Sequence, residues 1–154
     1  TRFSTFFQST FNSSFNSGAY ASRTAIETRI EGALKKGRKS CITDYLEEGK
    51  SITSSMIRKS IEREDELVTQ CVTEASEYLS GGLASVINLI NPKLIVLGGG
   101  LIEAVDYFYQ KTIKEARAKS LPVPAEKIEF KKTVLGDYSG VIGAVFLDER
   151  GDVL

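Results

Sequence analysis

The chain has 154 residues, 42% hydrophobic and 26% charged, enough to fill the core of one domain and few for two. Lys+Arg and Asp+Glu both number 20, so no general field draws nucleic acid or an anionic membrane, and no run approaches the ~18 apolar residues of a membrane span. There is no His, which excludes a His-based triad or a His metal ligand within this chain. Cys41 and Cys71 stand in no metal or redox spacing, as expected of two reduced thiols in a cytoplasmic protein without a signal peptide.

Residues 1–18 differ from the rest: they carry five Phe and many Ser, Thr and Asn, with no Leu, Ile, Val or acid, and read as irregular or a poor strand. From Tyr20 the pattern becomes regular. Ser22 is a candidate N-cap, Ile26, Ile30 and Leu34 mark one helical face, and Gly37 ends that helix. A short helix is predicted over Ile42–Glu48, ended by Gly49, and another after Thr53, carrying Met56, Ile57 and Ile61. The acids Glu62, Glu64, Asp65 and Glu66 suit the start of the next helix and a solvated face better than an active-site pair.

That helix is predicted from Asp65 to Asn91. Val68, Cys71, Val72, Ala75, Leu79, Leu83, Val86, Ile87 and Ile90 form its apolar stripe. Gly81-Gly82 inside it implies close approach of another backbone, from packing onto a sheet or from a subunit contact in a homo-oligomer. Pro92 stops the helix, and Leu94–Leu97 reads as a strand covered on both faces of a mainly parallel sheet. A helix from Ile102 to Lys119, a connector Leu121–Pro124 and a strand within Lys127–Thr133 follow, the last with Ile128, Phe130 and Lys132 on one side. Leu135–Gly140 reads as a turn with Ser139 as a cap, and Val141–Leu147 as the last helix. Two strands are few for an independent sheet, so the fold class is α/β with a sheet incomplete in this chain.

Gly98, Gly99 and Gly100 are the candidate cofactor-binding residues. They lie at the carboxyl end of the strand, where open α/β sheets bind ligands, and glycines let a ligand approach backbone amides. The run is neither G-x-G-x-x-G nor a Lys-Ser/Thr phosphate loop, so nucleotide contact and a tight strand-to-helix turn both remain open. Asp137, after Gly136, suits a helix cap or a ligand contact. No carboxylate pair is spaced for acid/base chemistry, no Ser has a His base, and no metal-ligand set is present, so no catalytic residue is assigned.

Ala19-Tyr20-Ala21-Ser22, Ile52-Thr53, Ile87–Pro92, Leu94–Gly100 and Leu135–Ala144 occur in an order and spacing that together resemble the carboxyl-terminal half of the ROK family. These are bacterial glucokinase-like sugar kinases and related sugar-responsive repressors. The resemblance covers about Ala19 to Leu147 and implies part of a two-lobed actin/hexokinase-type (ribonuclease H-like) fold, with residues 19–154 in the carboxyl-terminal lobe. It also implies ATP, Mg2+ and a hexose in the intact protein, and a phosphate loop and catalytic Asp in an amino-terminal half upstream of these residues. Gly98–Gly100 fall where the family sets backbone beside the nucleotide.

The departure is at residues 1–18. Family members commonly carry Cys-x-Cys-Gly-x-x-Gly-Cys-x-Glu there, three zinc ligands and a sugar contact. In register with Ala19, the Cys positions hold Ser9, Phe11 and Asn16, and the Glu position holds Gly18. None of these replaces a thiolate, so zinc is not expected from this sequence. Either the zinc and one sugar contact are lost or residues 1–18 are not native sequence, and the abrupt composition change favours the second. The resemblance implies an ATP-dependent kinase for glucose or an N-acetylhexosamine, with this fragment alone inactive. The alternatives are a sugar-sensing repressor, with nucleic acid as a partner through a further domain, and a non-catalytic oligomerisation module.

Overall fold

The computed structural model describes residues 20–46 and 50–133. Residues 1–18, the predicted turn Leu135–Gly140 and the predicted last helix Val141–Leu147 lie outside them.

Helix α1 spans Arg23–Lys35, capped as expected by the Ser22 side chain, which accepts from the Ala25 amide at 3.2 Å. Its stripe buries Ile26 and Ile30 completely. The described part of the predicted helix over Ile42–Glu48 is a 3-10 turn, Cys41–Tyr45, and residues 47–49 lie outside the described residues. The chain leaves it at once, because Leu46 is extended, and Ile42 is the one residue of the turn that reaches the core. Helix α2, Ser54–Glu62, is capped by Thr53, whose side chain accepts from the Met56 amide.

Helix α3, Glu66–Ile90, is the longest element, and its cap joins two parts of the fold. The Asp65 carboxylate accepts from the Val68 amide at 2.9 Å, from the Ser40 hydroxyl at 2.7 Å and from the Cys41 amide at 2.6 Å. Burial alone would push this carboxyl up, but the three donors outweigh it and hold it below the usual Asp range. Glu62, Glu64 and Glu66 are exposed, so the acidic run is one cap and three solvated side chains. At its far end α3 stops on Asn91, in the left-handed conformation (φ 44°, ψ 56°), a geometry Asn tolerates better than most residues.

The predicted stripe of α3 is buried from Val68 to Ala75 and at Leu83 and Ile87, but Ile90 is exposed. Leu67, Ser76, Ser80, Gly82 and Ala84 are buried as well. At Gly81 a Cβ would meet nothing within 4 Å among the described residues, so packing onto the sheet does not account for that glycine.

The predicted helix Ile102–Lys119 is two helices, α4 (Gly100–Ala104) and α5 (Asp106–Lys119). They break at Val105, which is buried with φ −116° and ψ 88°, well outside helical geometry. The new helix then starts on an acid, Asp106, at the end where the dipole favours it. The supposed connector is also helical: α6, Pro122–Lys127, starts with proline at a position that needs no amide hydrogen. Arg117 fastens this turn, donating to the carbonyls of Ala125 and Ile128.

Strand β1, Leu94–Leu97, pairs in parallel with β2, Glu129–Lys132, in the register Leu94 to Glu129 and Leu97 to Lys132. Ile95, Leu97 and Phe130 pack against Leu83 and Ile87 of α3, Ala116 of α5 and Ile128. The expected cover on both faces is absent among the described residues, because Leu94 and Val96 are 43% and 54% exposed. Helices α3 and α5 shield one face of the sheet only. The main core lies between α1, α2, the first half of α3 and α5, around Ile30, Ile57, Val72 and Phe108. Leu79 and Leu97 touch both clusters and join sheet to helices.

Replacing Asp65 with Ala should lower stability by about 1–2 kcal/mol, read as a lower urea midpoint in the intact protein. Asp65 has its folded pKa depressed, so its contribution is complete above the unfolded value of about 3.9 and is lost as pH falls towards the folded value. The gap between wild type and variant should therefore hold from neutral pH down to about pH 4 and shrink below it.

Candidate functional site

Gly98, Gly99 and Gly100 connect the end of β1 to the start of α4, and each has a different physical role. At Gly98 a Cβ would lie 2.4 Å from the Thr133 methyl carbon and 3.0 Å from its hydroxyl oxygen, so any larger residue must displace the Thr133 side chain. Thr133 is held there by two bonds. Its amide donates to the Leu97 carbonyl at 2.8 Å, extending the parallel ladder, and its hydroxyl donates to Glu103 Oε1 at 3.0 Å. Gly99 has φ 111° and ψ 153°, a region open to glycine alone. Gly100 has ordinary helical surroundings, and a Cβ there would meet nothing within 4 Å.

The tight-turn reading therefore accounts for Gly98 and Gly99. Among the described residues nothing would pack against a side chain at Gly100, and the open space there suits the close approach of a ligand. The space is a cavity of about 330 Å³, bounded by the glycine turn, by Ala21, Ser22 and Arg23 at the start of α1, and by apolar side chains. A cavity of that size sits at the lower end of small-molecule sites.

The residues here fit a nucleotide in one respect: an open glycine edge lets a ligand reach backbone. They do not fit a protein-held Mg2+. Among the described residues no carboxylate lines the cavity, and no group of three metal-ligating side chains occurs. The former zinc-loop positions Ser9, Phe11, Asn16 and Gly18, and also Asp137, lie outside the described residues.

The thiols offer no nucleophile. Burial pushes both upward in pKa, helped at Cys41 by the hydrogen bond with Asp65 and at Cys71 by the Glu74 charge, so neither is a thiolate at neutral pH.

Two wall residues, Ser22 and Arg23, have no site role in the sequence reading, although Arg23 carries a readable signal in its charge. Thr133, which packs on Gly98 behind the turn, carries no such signal, because its place follows from the pairing register of two strands distant in sequence.

The ROK family profile matches residues 17–150, beginning close to the composition break. The chain belongs to the ROK family. It is 31% identical over 104 residues to the glucokinase of Halalkalibacterium halodurans, a match covering 68% of this chain and 31% of that protein. It is 29% identical over 122 residues to the N-acetyl-D-glucosamine kinase of Histophilus somni, covering 72% and 39%.

Among solved structures, a ROK family glucokinase from Streptomyces griseus in complex with glucose and AMPPNP superposes with a TM-score of 0.72 at 20% identity, covering 86% of this chain and 44% of that one. A ROK family transcriptional regulator, a homolog of the Escherichia coli Mlc protein, superposes with a TM-score of 0.64 at 28% identity, covering 75% and 28%. The ROK chain thus has the helix-rich α/β fold of ROK sugar kinases, of the actin/hexokinase type. It spans less than half the length of each of these relatives.

Gly98→Ala should destabilise the protein by about 1–3 kcal/mol through overpacking. Thr133→Ser removes the methyl group that the new Cβ would strike. In a double-mutant cycle the pair should be less destabilised than the sum of the single changes, measured by chemical denaturation.

Proposed function

We propose that the intact protein is an ATP-dependent sugar kinase that transfers the γ-phosphate to a hydroxyl of glucose or an N-acetylhexosamine. Residues 19–154 form part of its carboxyl-terminal lobe, residues 1–18 stand at the position of the family's zinc loop, and Gly98–Gly100 form one wall of the nucleotide site. The observation that carries this reading is Gly100. It is a glycine that no described residue packs against, at the carboxyl end of a parallel strand, opening on a cavity. The similarity to a glucokinase and to an N-acetyl-D-glucosamine kinase supports the reaction class and the choice between two sugars.

On this reading the chain's own task is to bind and orient. The turn offers amides to the nucleotide, and Leu79, Ile102 and Phe108 keep water from the inner wall of the cavity. The base that takes the sugar proton belongs to the other lobe, as does the carboxylate that positions Mg2+, which would ease charge on the transferred phosphoryl group. The 154-residue chain alone is then inactive. The reading also implies a cytoplasmic protein, where ATP and free hexose meet.

A sugar-sensing repressor is the second reading, favoured by the similarity to the Mlc homolog. Its DNA-binding domain would lie outside this chain, consistent with the absence of net charge here.

A coupled assay of ADP release, with ATP and either sugar, tests the proposal on the intact protein. Turnover that depends on both substrates is expected. Gly100→Leu should raise the KM for ATP at least about 10-fold by filling the approach to the backbone, with little change in thermal midpoint, because the added side chain meets open space. Absence of turnover with either sugar, together with sugar-dependent binding to DNA, would establish the repressor instead.

A further inference from the structure

Six arginines fall among the described residues, and five have partners. Arg29 donates to the carbonyls of Tyr20 and Cys71, and Arg38 to the Gln70 side chain. Arg58 pairs with Glu62, Arg63 with Asp44, and Arg117 holds the carbonyls of Ala125 and Ile128. Arg23 alone makes no hydrogen bond, ion pair or ring contact among the described residues, and its side chain is exposed. It is also the one charged side chain among the described residues that line the cavity beside the glycine turn.

Among the described residues nothing rewards a cation at this position. Arg23 is the first residue of α1, the positive end of the helix dipole, and the first turn carries no acid to offset it. A residue that breaks a local rule with no gain among the described residues is a candidate for a contact with a ligand. The glycine turn has amides but no cation, and the remaining wall is largely apolar, with Leu79, Ile102 and Phe108. Such a wall suits a base or ribose and cannot compensate the charge of a phosphate. A guanidinium can, because its planar fork matches two phosphate oxygens.

We infer that Arg23 grips a phosphate of the nucleotide that lies against Gly98–Gly100, which makes it a nucleotide-positioning residue across the cavity from the turn. The inference rests on the nucleotide reading of that turn. Arg23 contributes through binding and takes no part in proton transfer.

The test uses the intact protein and the variants Arg23→Gln and Arg23→Lys. A charge-assisted contact of this kind corresponds to about a 10-fold change in affinity. Arg23→Gln should therefore raise the KM for ATP about 10-fold, with kcat and the KM for sugar within about twofold. Arg23→Lys should recover part of the loss, and the gap between wild type and Arg23→Gln should narrow as salt is raised. The side chain has no partner among the described residues, so the thermal midpoint of the unliganded protein should not fall. If wild type turns over and Arg23→Gln keeps the same KM for ATP, the inference is wrong while the kinase reading stands. If KM for ATP and for sugar rise together, Arg23 shapes the cleft rather than gripping a phosphate, and the inference again fails. If wild type binds no ATP, the kinase reading fails and the inference falls with it.

Discussion

The Thr133 methyl group occupies the space that a Cβ on residue 98 would need. This packing ties the end of β2 to the end of β1, one residue beyond the paired register, where the Thr133 amide meets the Leu97 carbonyl. Much of the site follows from it. With Gly98 fixed against Thr133, the chain must turn sharply to enter α4, and Gly99 takes a conformation that only glycine adopts. The Thr133 hydroxyl also reaches Glu103, so the same residue anchors the short helix beyond the turn. Gly100 is then held in place by its neighbours without being packed itself. A backbone edge that is rigid and open at once is a suitable surface for ligand recognition, because little order has to be gained on binding.

The turn is placed in space by α3. This helix shares one core with α1, α2 and α5 in its first half and packs under the two strands in its second. Leu79 lies between those halves, touching both clusters and also the cavity wall, so the helix core and the site share a side chain. At the amino-terminal end of α3, Asp65 satisfies three donors from two segments, which sets where the 3-10 turn lies against the helix. The exposed Leu94 and Val96 mark where this arrangement is open. Helices cover one face of the sheet, and among the described residues nothing equivalent covers the other.

The helices with ordinary chemistry were legible in the sequence. Ser22, Thr53 and the acids from Glu62 to Glu66 announced three helix starts by the chemistry of their side chains, and Ile26, Ile30 and Leu34, four residues apart, marked one face of α1. The run Leu94–Leu97 was recognised as a strand, but its apolar character led to an expectation of cover on both faces. Sequence shows that a residue is apolar, not whether the chain in hand supplies its cover. The break at Val105 was missed because its flanks both read as helix and the extended conformation follows from burial of Val105. The helical turn after Leu121 was missed because Pro-x-Pro suggests a connector, while a proline at the first helical position leaves the rest of the turn intact. At the site, three adjacent glycines were visible, but not their separate reasons. Those depend on Thr133 and on a backbone angle, neither of which has a local signature.

The ROK family holds both sugar kinases and transcriptional regulators among this chain's relatives, and the proposed nucleotide contact centres on the backbone of the glycine turn. Hydrogen exchange of the intact protein, followed by mass spectrometry with and without a non-hydrolysable ATP analogue, reports on the backbone of that turn itself. Nucleotide binding at this wall should slow exchange in a peptide spanning Leu97–Ala104 while leaving the α1–α3 contact near Gln70 unchanged. Binding of the analogue with no added protection in Leu97–Ala104 would contradict the account, because the nucleotide would then lie elsewhere.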